Sequence, residues 1–211
     1  MKARLAPLLV LAAAAAGCIQ VGTKEPPLEQ RSFDLQPPLP APVPPDADGA
    51  EVLWVEPFGA DPALDREEIL WRRPGNEAGA YERYRWVRVP AEAVRAVLAD
   101  GLARSGAFAA VATEPRAHGA EYALRGHLVR FEEVDGEKEW SGAVEVRVAL
   151  LRAADGEEVL RRVYARTERA PTRNPSGVVA ALRAALAAVS SDLAGDVREV
   201  MDLERERPPA R

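Results

Sequence analysis

The sequence predicts an α+β fold, a mostly antiparallel β-sheet with two α-helices packed on one face (an α/β sandwich). Three observations predict it. Residues 121–131 and 144–150 alternate in the manner of half-buried strands. Asp-Gly pairs at 135–136 and 155–156 supply hairpin turns between alternating runs. Two other stretches carry apolar residues at helical spacing, each opened by a proline, and helices striped on one side need a sheet face to cover.

In chain order, residues 51–58 read as a first strand, apolar on both faces and therefore central. Residues 68–73 form a second strand and 80–88 a third, on either side of the turn signal Pro74, Gly75, Asn76. Pro90 opens a helix, because the N–H that proline lacks has no partner at the first helical position. Val94, Val97, Leu98 and Leu102 follow on one side, and Ser105 and Gly106 close it. Phe108 and Val111 predict a short strand. Along 121–131, Tyr122, Leu124, Gly126 and Leu128 share one face, with Val129 and Phe131 on the other. Val144, Val146, Val148 and Leu150 alternate with Glu145, Arg147 and Ala149. The next strand, 159–168, has Val159, Val163 and Ala165 at even spacing. Asn174 caps the last helix and Pro175 begins it, with an apolar stripe from Val178 to Leu203. The folded part is expected over 51–203, with a charged, Pro-containing disordered tail over 204–211.

The amino terminus has the anatomy of a secretory signal. Lys2 and Arg4 precede an apolar run over 5–16, and Ala15, Ala16 and Gly17 lead to Cys18. At about 12 residues the run is shorter than the roughly 20 that span a bilayer. Small residues directly before a cysteine resemble the bacterial lipobox, in which residues 1–17 are removed and the Cys18 thiol receives a diacylglycerol. Cleavage at an A-x-A site (Ala14, Ala16), a stray thiol and a buried helix are the other readings. Two or more acyl chains anchor stably, so an acylated chain stays on its membrane. Ile19, which is not the aspartate of inner-membrane retention, favours the periplasmic face of an outer membrane. Residues 18–50 then form a Pro-rich tether, with eight of the 18 prolines between Pro26 and Pro45. In extended form it reaches roughly 90 Å. Within it, residues 30–35 include Phe33 and Leu35 at strand spacing, a candidate edge strand.

Composition excludes several functions. The 211 residues include one Cys and two His, with 28 Lys+Arg against 33 Asp+Glu and a formal net charge of -5. One cysteine cannot form a disulfide within the chain. His118 and His127 are not at ligand spacing, so no metal and no cofactor is expected. An acidic balance disfavours nucleic acid as a partner. The sequence has no nucleophile elbow, zinc-protease signature or phosphate-cradling glycine loop, and no enzyme activity is expected. Glu132, Glu133, Glu137 and Glu139 around the 135–136 turn read as a solvated hairpin tip. Trp71, Arg73, Tyr81, Arg85 and Trp86 form a candidate aromatic–basic binding face, the alternative being sheet packing with Arg stems laid along it.

The order of these signals resembles a known family. Its marks are Val55, Glu56, Pro57 and Phe58, then Leu64, Ile69, Tyr81 and Trp86. After these come Pro90, residues 102–108 (Leu-Ala-Arg-Ser-Gly-Ala-Phe), Val111, Tyr122 with Leu124, and residues 180–193 of the last helix. In these the chain is similar to the ABC-type transport auxiliary lipoproteins, the PqiC-like group. The resemblance implies a non-enzymatic auxiliary component of a lipid transport system and of membrane integrity. Its implied partners are an MCE-domain protein, an ABC permease and its ATPase, and homo-oligomerisation is also expected. Cys18 is the implied lipid attachment site. Competing readings are a lipoprotein module that activates or recruits a cell-wall synthase, and a periplasmic hydrolase, for which no nucleophile, base and acid can be assembled.

Overall fold

A computed structural model describes residues 29–45, 50–114 and 119–207. Cys18, His118 and residues 208–211 lie outside the described residues. Nine strands and two α-helices occur among the described residues, with short 3-10 turns at Pro62–Leu64 and Pro74–Asn76. The strands and α-helices are named in chain order. They are β1 (Arg31–Phe33), β2 (Val52–Val55), β3 (Gly59–Ala60), β4 (Glu68–Arg72), β5 (Ala78–Trp86), α1 (Pro90–Ser105), β6 (Ala110–Ala112), β7 (Tyr122–Asp135), β8 (Trp140–Arg152), β9 (Glu158–Arg169) and α2 (Pro175–Glu206).

The long strand β7 is the axis of the sheet. On one side it pairs antiparallel with β8, which pairs antiparallel with β9. On its other side three short strands lie end to end, each parallel to β7: β2, β3 and β4. β6 adds to β2 in parallel, β5 to β4 antiparallel, and β1 to β5 in parallel. The sheet is thus mixed, and its longest ladders are the antiparallel ones of the β7–β8–β9 meander. Both helices pack against it and against each other. Residues 51–58 do not make one strand. Pro57 lacks a ladder donor, and the chain breaks there into β2 and β3.

Local chemistry sets the helix ends. Gly106 ends α1 in the left-handed conformation (φ 76°), where a side chain would be strained. The Asn174 side chain accepts a hydrogen bond from the Gly177 N–H, capping α2. Arg95 of α1 donates to the carbonyls of Val55, Glu56 and Thr113, tying the helix to the end of β2. α2 is long and apolar enough to cross a membrane by composition. Its stripe is instead spent on the sheet: Leu182, Leu186, Val189, Leu193 and Val197 are fully buried. The helix runs on to Glu206, where a tail was expected, because Arg152 binds Glu204 at 2.5 Å.

Two faces differ from the alternation read in the sequence. A register shift between Leu128 and Arg130 inserts a bulge in β7. Phe131 therefore joins Leu128 on the helix side, 1% exposed and 5.3 Å from the Trp86 ring. In β9 the buried residues are Leu160 and Tyr164, while Val163 and Ala165 face out.

Residues 31–45 are extended, as their prolines require, and lie against the domain. Leu35 is buried in the core. The Gln36 carbonyl accepts from Arg183 of α2, and the Pro40 carbonyl from Arg104 of α1. The Val43 N–H donates to the Arg104 carbonyl at 2.8 Å. The Pro44 carbonyl lies 2.7 Å from where a Cβ on Gly106 would stand, a second reason for glycine there. The segment is a strap across the helix pair.

Candidate functional site

The structure separates the five residues of the aromatic–basic face. Trp86 is a core residue, 2% exposed. Arg85 sits toward β1 and pairs with Glu68 at 2.5 Å. Trp71, Arg73 and Tyr81 stay together at the far end of β4 and β5. The Arg73 guanidinium stacks 4.4 Å over the Trp71 ring and binds Asp135 at 3.0 Å. The Trp71 ring lies across Gly79, where any Cβ would come within 2.4 Å of it. Tyr81 contacts Tyr84 edge to face at 5.5 Å, and its hydroxyl donates to Glu133 at 2.8 Å.

Two acids read in the sequence as a solvated tip are buried. Glu132 is 5% exposed and Glu133 1%. The correction has a physical basis, since each has a partner brought from a distant strand. Glu132 accepts from Arg72 at 2.8 Å and from Arg130 at 2.6 Å. Burial pushes its carboxyl up, but the two arginines more than offset this and hold it below the ordinary range. Glu133 has no such pair of cations. Burial is the main force on it, Asp135 adds to it, and Tyr81 and Arg73 oppose it, so its pKa rises to about 7. Burial and the same hydrogen bond push the Tyr81 phenol well above its usual value. A buried acid and a phenol can exchange a proton; among the described residues, the Tyr81 hydroxyl is the hydrogen-bond partner of Glu133. No cluster of three metal-ligating side chains occurs among the described residues.

Among the described residues, the face of β7–β9 opposite α1 and α2 carries no α-helix, only the short 3-10 turn Pro62–Leu64 beside β7. Near β4 it forms a groove of about 540 Å³ lined by Leu64, Leu70 and Val129, with Arg130 and Glu132 at its side. Farther along, Arg125, Arg147 and Arg161 surround Ala149: Arg125 and Arg161 are its direct neighbours on the flanking strands, and Arg147 is on its own strand. Arg125 pairs with Glu56 at 3.0 Å and Arg161 with Glu158 at 2.5 Å. His127 meets Asp61 at 2.8 Å. Sequence reasoning passed over this arginine group. Its signal was the alternation itself, which put Arg125 and Arg147 on the polar side of two paired strands.

A family model described as the ABC-type transport auxiliary lipoprotein component matches residues 33–194. A Xanthomonas campestris protein assigned to the DUF330 family has a similar fold. Its TM-score is 0.72 at 20% identity, and the match covers 84% of this chain and 99% of that one. A second solved structure, of an uncharacterised protein, has a TM-score of 0.66 at 15% identity, covering 81% of this chain and 99% of its own. At these identities the likeness is one of fold. No protein of curated function matches the sequence.

Proposed function

The chain belongs to the ABC-type transport auxiliary lipoprotein family, and from that premise we propose that it serves as a non-enzymatic, lipid-anchored auxiliary component of an MCE/ABC-type lipid transport system. Cys18 is the lipid attachment site, and the protein stands at the periplasmic face of the outer membrane. The observation that carries the reading is the family match over residues 33–194, which takes in β2 to β9, α1, most of the strap and most of α2. The fold supports a docking role. The described residues form a sandwich with one sheet face that no α-helix covers, and energy would come from the partner ATPase. The MCE-domain protein and the ABC permease are the partners, and the protein acts as a homo-oligomer.

The test is affinity purification of the tagged full-length protein from membranes of its native host, followed by mass spectrometry. The expected result is co-recovery of an MCE-domain protein with permease and ATPase subunits, and a diacylglyceryl-modified Cys18 at the mature amino terminus. Recovery of a cell-wall synthase in place of transport subunits would overturn the assignment of partners. An unmodified Cys18 would overturn the anchor.

A further inference from the structure

β9 is a twelve-residue strand paired only to β8 among the described residues. Its outer edge therefore presents a long row of backbone N–H and C=O groups without strand partners, of which the Ala165 carbonyl accepts from the Arg166 side chain; the other unpaired edges among the described residues, at β1, β3, β6 and residues 78–83 of β5, are six residues or fewer. The edge has a depression on either side. On the helix side, Tyr164, Arg166 and Asp192 line one of about 470 Å³. On the open side, Arg147, Ala149 and Val163 line another of about 470 Å³. A strand laid along β9 would send successive side chains alternately over the two.

The charges on the two sides differ. On the helix side, Arg162 pairs with Asp196 and Arg166 with Asp192, so that depression is balanced. On the open side the lining holds Arg125, Arg147, Arg161 and Arg162 with Glu158 as its one acid; Arg125 pairs with Glu56 and Arg161 with Glu158, and Arg147 makes no ion pair among the described residues. Val163, the cross-strand neighbour of Arg147, is 54% exposed. We propose that the β9 edge is a strand-addition site for an extended segment of a partner protein that carries a carboxylate at every second residue, on the side facing Arg161 and Arg147.

A second copy of β9 is a poor occupant. It carries Arg161, Arg162, Arg166 and Arg169 against Glu158 and Glu168. An antiparallel self-pair centred on the strand sets arginine beside arginine, which is destabilising. An anionic bilayer is also a poor occupant. Glu56, Asp61, Glu145 and Glu158 ring the arginine group, and a flat anionic surface would meet them with the cations. A single strand meets only the row beside it. The inference rests on the free edge and its charges, and holds whichever transport or cell-wall partner the family reading delivers.

The test uses the purified full-length protein in detergent and fluorescence anisotropy with labelled dodecapeptides. The probes are an alternating Glu-Thr peptide, its Gln-Thr and Lys-Thr counterparts, and two Glu-Thr peptides N-methylated on alternate residues, one for each edge of the strand. The Glu-Thr peptide is expected to bind at least about tenfold more tightly than Gln-Thr at low salt. One N-methylated peptide is expected to lose binding and the other to keep it. R147Q/R161Q, which keeps the strand and removes both charges, is expected to reduce the preference, and R147E/R161E to reverse it toward Lys-Thr. Equal binding of both N-methylated peptides would overturn strand addition. Equal binding of Glu-Thr and Gln-Thr would overturn the acidic preference. Capture of phosphatidylglycerol vesicles in place of any peptide would transfer the site to membrane and overturn the proposal.

Discussion

Replacing Glu133 by glutamine tests the electrostatics of the sheet directly. Glu133 is 1% exposed, and its pKa stands at about 7 against an ordinary 4.5. A folded-state value above the unfolded one means that the folded protein prefers the protonated acid. Stability from this group is therefore complete below pH 4.5 and is lost as the pH rises through 7. At about 1.4 kcal/mol per unit, the ionised form costs on the order of 3 kcal/mol above pH 7. Glutamine keeps an acceptor for the Tyr81 hydroxyl and cannot ionise. E133Q is expected to match the native protein near pH 4.5 and exceed it by about 3 kcal/mol at pH 8. With a urea slope of about 2 kcal/mol/M, the midpoint moves up by roughly 1.5 M at pH 8. Urea unfolding of both proteins across this range measures it, and taking the difference between them cancels the other titrating groups. A constant difference from pH 4.5 to 8 would refute the reasoning, since it would mean that Glu133 titrates alike in the folded and unfolded chain.

Three further outcomes follow from packing. Phe131→Ala empties a fully buried site beside Trp86 and is expected to cost about 3–5 kcal/mol, read from the urea midpoint; Phe131 on the open face, as plain alternation places it, would cost far less. Gly142→Ala sets a Cβ 2.6 Å from the Leu182 backbone nitrogen of α2. It is expected to cost about 1–3 kcal/mol by pushing the helix off the sheet, measurable by thermal unfolding. Leu35→Asp removes the apolar anchor of the strap, worth roughly 2 kcal/mol. Limited proteolysis should then cut within residues 36–45 faster while the rest of the domain resists, and an unchanged rate would contradict the anchoring role of Leu35.

What could be read from the sequence was what local chemistry decides. Pro90, Gly106, Asn174 and Pro175 mark helix ends because caps and prolines act within a few residues of themselves, and the structure ends the helices at these residues. The alternation of Val144 to Leu150 gave the buried face of β8 for the same reason. What could not be read depends on distant partners. The bulge that turns Phe131 inward is a mismatch between two strands and leaves no trace in one of them. Glu132 reads as a surface acid until Arg72, sixty residues earlier, is set against it. Val163 loses its place in the core because α2 approaches the other side of β9, where Tyr164 donates to Asp196. The aromatic–basic group looked like one surface because its members are close in sequence. β4 and β5 carry it, and the core takes Trp86 while Trp71, Arg73 and Tyr81 remain at the rim.

If Cys18 carries the proposed lipid, the strap limits how far the domain can stand from the bilayer. If the whole Pro-rich stretch were free, the sandwich could swing on a long leash. With Arg31 clasped by β5 and the following prolines lashed over the helix pair, thirteen residues, 18–30, separate Cys18 from the sheet in sequence. Fully drawn, that length is about 45 Å. On the proposed function, a copy held by lipid at Cys18 would keep to a shallow layer next to its anchor, and a partner would have to meet it there.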